Sequence, residues 1–260
     1  MSKRIPFTQI LTRVLLVVLV LAPFAVAHAG SLNVTYFTIA ESDSDAARMC
    51  CGVSTNYVQS SLGVNGLPVF NTAATATSGS IFAPNDLLPD GEITWWSPTL
   101  NNGGAGGTSD VAETGAGVVS LPFINNSFFP PNGGGPNDEN GFQAAILSGT
   151  LIAPTSEEIS FSIASDDMAF LYLNGQIACS DGGVHGATAV PCTSFVIPAG
   201  PNTLELFYVD LDPTQAVLDF SITTTGVGTS ATPEPGTLGL LGTGLLSLAG
   251  FMRRRIGQRG

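Results

Sequence analysis

The chain has 260 residues, 44% hydrophobic and 11% charged, with 31 Gly and 17 Pro. That is enough chain for one or two packed domains, too apolar for wholesale disorder, and rich in turn formers. Seven of the eight Lys and Arg lie near the two ends. Between Gly30 and Thr232 nineteen acids face one base, Arg48, a net of −18. This excludes phosphate-backbone and hence nucleic-acid binding, and with Lys3 the only lysine it excludes lysine-based catalysis.

The first element is an address. Lys3, Arg4 and Arg13 supply positive charge, Val14–Ala22 is an unbroken apolar run, and Ala27-His28-Ala29 is a small-x-small cleavage site. This order is that of a secretory signal peptide over residues 1–29, which leaves Gly30 as the mature N-terminus.

The body, residues 30–225, is dominated by period-2 patterning, with no long amphipathic helix. Leu32–Ile39 reads as an opening strand and Ser42–Asp45 as a polar turn. Asn56–Val69 suits a short helix, Ile93–Trp96 a strand, and the Gly-, Asn- and Ser-rich stretch Asn101–Thr114 a long surface loop. Strands are expected at Ala144–Ile152, Ile159–Ile163, Phe170–Leu173, Gln176–Ala178, Ser194–Ile197, Leu204–Val209 and Val217–Thr223. Asn174-Gly175 between two of them is a hairpin signal, because both central residues of that turn need φ > 0. Many short strands with Gly/Pro turns predict an all-β fold, an antiparallel β-sandwich or open barrel, in one domain.

Four cysteines suit an exported chain. Cys179 and Cys192 bracket the loop Ser180–Pro191 and are expected to pair, leaving Cys50 and Cys51 as a vicinal pair or free thiols; the rival arrangement ties both to the second pair. Their spacings match no zinc pattern.

After a linker at 226–232, residues 233–260 read Pro233-Glu234-Pro235-Gly236, an apolar stretch Leu238–Met252, and the cluster Arg253, Arg254, Arg255. The apolar stretch is short for a full span but enters an inner membrane as a hydrophobic helix, with the Arg cluster on the cytoplasmic side. This tripartite order resembles the PEP-CTERM sorting signal. The resemblance implies an exosortase-type processing partner, a transient inner-membrane intermediate, release to the cell surface or extracellular matrix, and a Gram-negative exopolysaccharide producer.

Within the body, Phe142-Gln143, Ser148-Gly149, Ile152-Ala153-Pro154, the run Ile159–Gly175, Gly182-Gly183-Val184-His185-Gly186, Pro198-Ala199-Gly200, Leu204–Tyr208 and Leu218-Asp219-Phe220 occur in an order that resembles the protective-antigen-type lectin-like β-sandwich. The likeness is to its fibro-slime version and is clearest over 142–225. It implies a calcium-dependent glycan site in which two successive aspartates, here Asp166 and Asp167, hold the ion across a cis peptide. Asp210 and Asp212 lie where the family's second ligand loop lies, although the usual Asn has no counterpart here. Calcium takes six to eight oxygens, so carboxylates alone leave places that sugar hydroxyls fill.

Other groups invite plainer readings. Ser-Asp-Asp before a strand is also a good turn sequence. His185, the sole histidine of the mature chain, suits a packed loop; Ser180, Asp181 and His185 make a triad only on paper, with no nucleophile elbow. Trp95-Trp96 offers either a sugar-stacking platform or core. Asp181, Asp219 and Glu157-Glu158 read as solvated faces or turns. The chain is therefore expected to be a non-enzymatic, exported surface or matrix protein that binds polysaccharide with calcium. The alternatives are a structural biofilm or matrix component that binds no sugar, and, third, a secreted polysaccharide hydrolase.

Overall fold

The computed structural model describes residues 30–46, 52–103, 108–125, 142–192, 194–212, 216–224 and 227–230. The signal peptide, Cys50 and Cys51, and the sorting segment with Pro233, Glu234 and Pro235 lie outside these residues. Among the described residues the ordered elements are all strands. In chain order they are β1 (Ser31–Ile39), β2 (Gly52–Val53), β3 (Ser78–Gly79), β4 (Val111–Ser120), β5 (Phe123–Asn125), β6 (Phe142–Ala153), β7 (Glu157–Ile159) and β8 (Phe161–Asp166). There follow β9 (Met168–Leu173), β10 (Gln176–Asp181), β11 (Thr188–Pro191), β12 (Phe195–Ile197), β13 (Gly200–Val209), β14 (Val217–Ile222) and β15 (Gly228–Ser230).

The main sheet runs β10-β9-β13-β6-β1-β4, with β15 also on β6; the second sheet runs β11-β8-β14-β5. Every pairing is antiparallel. Side chains of a strand alternate between faces, so a strand with both faces covered reads as a continuous apolar run. Met168–Leu173 is such a run, and all six residues are buried. Ala169, Leu171 and Leu173 point to a core shared with Ile163, Leu218 and Phe220 of the second sheet. Met168, Phe170 and Tyr172 point to a second core closed by Tyr57, Ile93, Trp95 and Trp96. The main sheet is thus the middle layer: a four-stranded sheet lies on one face and the irregular segment 52–103 on the other.

Four expectations are corrected. Asn56–Val69 is no helix but a chain of turns and single bridges, such as Val58 to Phe70. Ile93–Trp96 is no strand; both indoles are buried in the second core, which removes the sugar-stacking platform. The loop expected over Asn101–Thr114 ends at Val111, where β4 begins and pairs with β1. The run Ile159–Ile163 is split at Ser160, whose N–H goes to Thr224 Oγ1 at 2.8 Å.

Buried carboxylates organise segment 52–103 where ladders do not. Glu92 accepts the N–H groups of Asn65 (2.8 Å) and Leu67 (3.2 Å). Asp45 accepts those of Asn85 (2.8 Å) and Asp86 (3.0 Å), and Trp95 Nε1–H at 3.1 Å. Such charge-assisted bonds satisfy backbone donors that a sheet would otherwise pair.

Candidate functional site

The chain passes from one sheet to the other at Asp166–Met168. Asp166 ends β8 in the second sheet, Met168 begins β9 in the main sheet, and the Asp166–Asp167 peptide bond between them is cis. On the neighbouring strand β13, Val209 lies opposite Met168. The next residues outward, Asp167 and Asp210, therefore meet at the same sheet end. One carboxylate oxygen from each of Asp166, Asp167 and Asp210 lies within 4.8 Å of the other two. All three residues are buried, Asp166 being 6% exposed.

Asp167 is the anchor. Its Oδ2 accepts the N–H groups of Leu211 (2.8 Å) and Asp212 (3.0 Å), and its Oδ1 that of His185 (2.9 Å). Burial raises its pKa, against the pull of these bonds. Burial, followed by the charge of Asp167, pushes the Asp166 carboxyl up to about 7. No Lys or Arg occurs among the described residues to offset these charges. Asp212 joins differently from the other three: its N–H serves Asp167 Oδ2 and Asp210 Oδ1 (3.2 Å), and its own charge adds to the field on Asp167.

A second layer supports the loop. Ser165 Oγ donates to Asp181 Oδ2 at 2.8 Å, and Asp181 Oδ1 stands 3.0 Å from His185 Nε2. Burial works against a charged ring, but the Asp181 carboxylate outweighs it and holds the His185 pKa above the usual imidazole value. Asp181 is fully buried, not solvated as its sequence context suggests. Ser180 Oγ is buried and bonded to neither partner, so the paper triad does not form. Cys179 and Cys192 are joined by a disulfide with Cα atoms 5.0 Å apart, tying β10 of the main sheet to the end of β11 in the second. Glu157 and Glu158 lie on β7, where Glu158 accepts Ser194 Oγ.

The donor set is all oxygen and all carboxylate, which suits a hard divalent cation and not a soft one. A second acidic group carries no motif in the sequence. Asp43, Asp45 and Asp86 also converge within 4.8 Å, where the turn 41–46 meets the segment after Pro84. Its only signal is the Asp-x-Asp spacing at 43 and 45, which an ordinary turn also shows.

Residues 231–255 match the PEP-CTERM protein-sorting motif. This chain carries an exosortase sorting signal. It is the mark of an exported protein. No curated protein matches the chain. Among solved structures, the PA14 domain of the MpAFP antifreeze protein is similar at 13% identity and a TM-score of 0.33, over 78% of this chain and 92% of that one. A PA14 sugar-binding domain from an RTX adhesin gives 13% identity and 0.34, over 77% and 94%. A β-glucosidase from Kluyveromyces marxianus gives 12% and 0.33 over 44% of this chain, which spans 14% of that enzyme's length.

Proposed function

We propose that this exported chain binds polysaccharide at the cell surface or in the extracellular matrix, through a calcium ion held by Asp166, Asp167 and Asp210 with Asp212 beside them. The observation that carries the reading is the convergence of three buried carboxylates at one sheet end, with no Lys or Arg among the described residues. Three such charges cost several kcal/mol each to bury unless something compensates them. The bound ion supplies that charge and leaves coordination places for sugar hydroxyls. Asp167 positions its neighbours through its three backbone bonds, and the His185 loop closes over it. Exosortase-type processing delivers the protein by way of the inner membrane. We assign binding and no hydrolysis to this site.

Calcium titration of the full chain, followed by melting temperature and by a polysaccharide array with and without calcium, tests this. At a hundredfold excess over Kd a folded-state ligand adds about 2.7 kcal/mol. Asp166→Asn/Asp167→Asn should lose both the gain and the calcium-dependent glycan signal. A parent with no calcium response would overturn the reading, and released sugars would show a hydrolase instead.

One feature favours the alternative, a structural matrix component. Among the described residues strand β4 is an outer strand of the main sheet, ten residues long with one charge, Glu113, and an exposed Val118. Such an edge is a template for self-pairing. If self-association is the function, Val118→Lys abolishes it in sedimentation while calcium has no effect.

A further inference from the structure

The cluster at Asp43, Asp45 and Asp86 lies apart in the chain from the site just described and shares no residue with it. The three residues are 5%, 0% and 0% exposed. Asp45 is fully committed: its carboxylate takes the N–H groups of Asn85 and Asp86 and the indole N–H of Trp95. The other two carboxylates are only half satisfied. Asp43 Oδ1 accepts the N–H of Asp45 at 2.7 Å, and Asp86 Oδ2 accepts Asn101 Nδ2–H at 3.0 Å. Asp43 Oδ2 and Asp86 Oδ1 are buried without a hydrogen-bond partner.

Buried polar atoms are normally paired, and a buried carboxylate oxygen without a donor is costly. Here two such oxygens, Asp43 Oδ2 and Asp86 Oδ1, sit in one cluster with a third carboxylate. Calcium bonds oxygen at about 2.3–2.6 Å, so ligands on opposite sides of it are about 5 Å apart. The cluster's carboxylate oxygens all lie within 4.8 Å of one another, close enough to share one ion. A cation here would join the turn 41–46 to the segment 85–101, the two pieces that roof the second core around Trp95.

We propose that Asp43, Asp45 and Asp86 bind a calcium ion of their own, a structural ion that fastens the turn after β1 to the segment carrying Trp95. Its ligands join the turn after β1 to the segment 85–101, which gives this ion a fastening role and separates it from the site at Asp166.

Two measurements on the full chain test this. The first is metal content after dialysis against calcium. Asp43→Asn/Asp86→Asn should hold one ion fewer per chain than the parent, while Asp166→Asn/Asp167→Asn should keep that ion. The second uses terbium as the probe, because Trp95 Nε1 lies 3.1 Å from Asp45 Oδ2 and sensitises a lanthanide bound beside it. In Asp166→Asn/Asp167→Asn, where this cluster remains intact, tryptophan-excited terbium emission should appear and calcium should displace it. This second reading holds even if Asp43→Asn/Asp86→Asn does not fold. Unchanged calcium content in a folded Asp43→Asn/Asp86→Asn, or no displaceable emission in a folded Asp166→Asn/Asp167→Asn, would overturn the proposal and leave Asp43 and Asp86 sharing a proton. If the Asp166 site alone fails to bind, parent and Asp166→Asn/Asp167→Asn hold equal calcium and the loss at Asp43 stands.

Discussion

Val209 lies opposite Met168 across the β9–β13 ladder, and this register alone sets Asp167 beside Asp210. A slip of one residue would turn the run Met168–Leu173 inside out, sending Leu171 into the aromatic core and Phe170 into the aliphatic one. Because both faces are buried, the packing that fixes the sheet also fixes the carboxylate cluster.

Asp166 and Asp167 should therefore answer differently to substitution. Asp167 satisfies three backbone N–H groups, and Asp167→Ala leaves those of Leu211, Asp212 and His185 without their acceptor. Bonds to a charged group are worth roughly 1.5–3 kcal/mol each, so a loss of about 3 kcal/mol or more is expected in calcium-free protein. Asp166→Asn removes a carboxylate that burial and Asp167 already disfavour. It should leave calcium-free stability equal or higher. Denaturant unfolding in chelator separates the two; equal losses would contradict this division of labour.

The same groups set a pH dependence. The folded-state pKa is raised for Asp166, to about 7, and for Asp43, to about 8, each by burial first. A carboxyl raised on folding contributes stability below its unfolded pKa, near 4, and loses it as pH climbs through the folded value. Calcium-free protein should therefore melt progressively lower from about pH 4 to pH 8 on account of these groups. Calcium, which competes with the protons, should raise the melting temperature more at pH 8 than at pH 5. Melts at both pH values, with chelator and with calcium, check the sign.

Glycines near the site differ in what they protect. Gly175 has φ +71° in the Asn174 turn, yet a Cβ there would meet nothing within 4 Å. Gly175→Ala should cost about 1 kcal/mol, the price of left-handed backbone alone. Gly183 has φ +104°, and its Cβ would stand 2.0 Å from the carbonyl oxygen of Gly52. Gly183→Ala should cost several times more and loosen the loop that delivers the His185 N–H to Asp167. Thermal melts of the two variants give the ranking, and comparable shifts would refute it.

How much of this was readable in the sequence follows from where each element gets its order. The hairpin at Asn174-Gly175 and strands β1, β6, β9, β10 and β13 of the main sheet were legible because turn chemistry and burial leave local marks. Asp166, Asp167, Asp210 and Asp212 stood out through a resemblance. Strand β4 was not legible: its Gly- and Ala-rich edge sequence has the composition of a loop. Trp95 and Trp96 both go inward because they sit in a turn, where strand alternation does not apply. Asp43, Asp45 and Asp181 read as a polar turn or solvated face because the segments that bury them lie elsewhere in the chain.

The disulfide joins the edges of the two sheets on the side of the His185 loop. Cys179 lies in β10 at the register shift opposite Leu171, and Cys192 follows β11. Between them the chain runs through Asp181, which pairs with His185, and through Gly183, which packs on Gly52. Closing a loop of this length, with 13 residues of separation, is worth about 3 kcal/mol in the chain-entropy picture. Cys179→Ser/Cys192→Ser should therefore unfold at lower denaturant by about that amount. The loop it frees carries one of the three donors to Asp167, so calcium affinity should fall as well, while Asp43, Asp45 and Asp86 keep their ion. Unfolding curves with calcium titrations on the double variant test both halves. A variant with lower stability but unchanged affinity at the Asp166 site would mean that the sheets alone hold His185 in place.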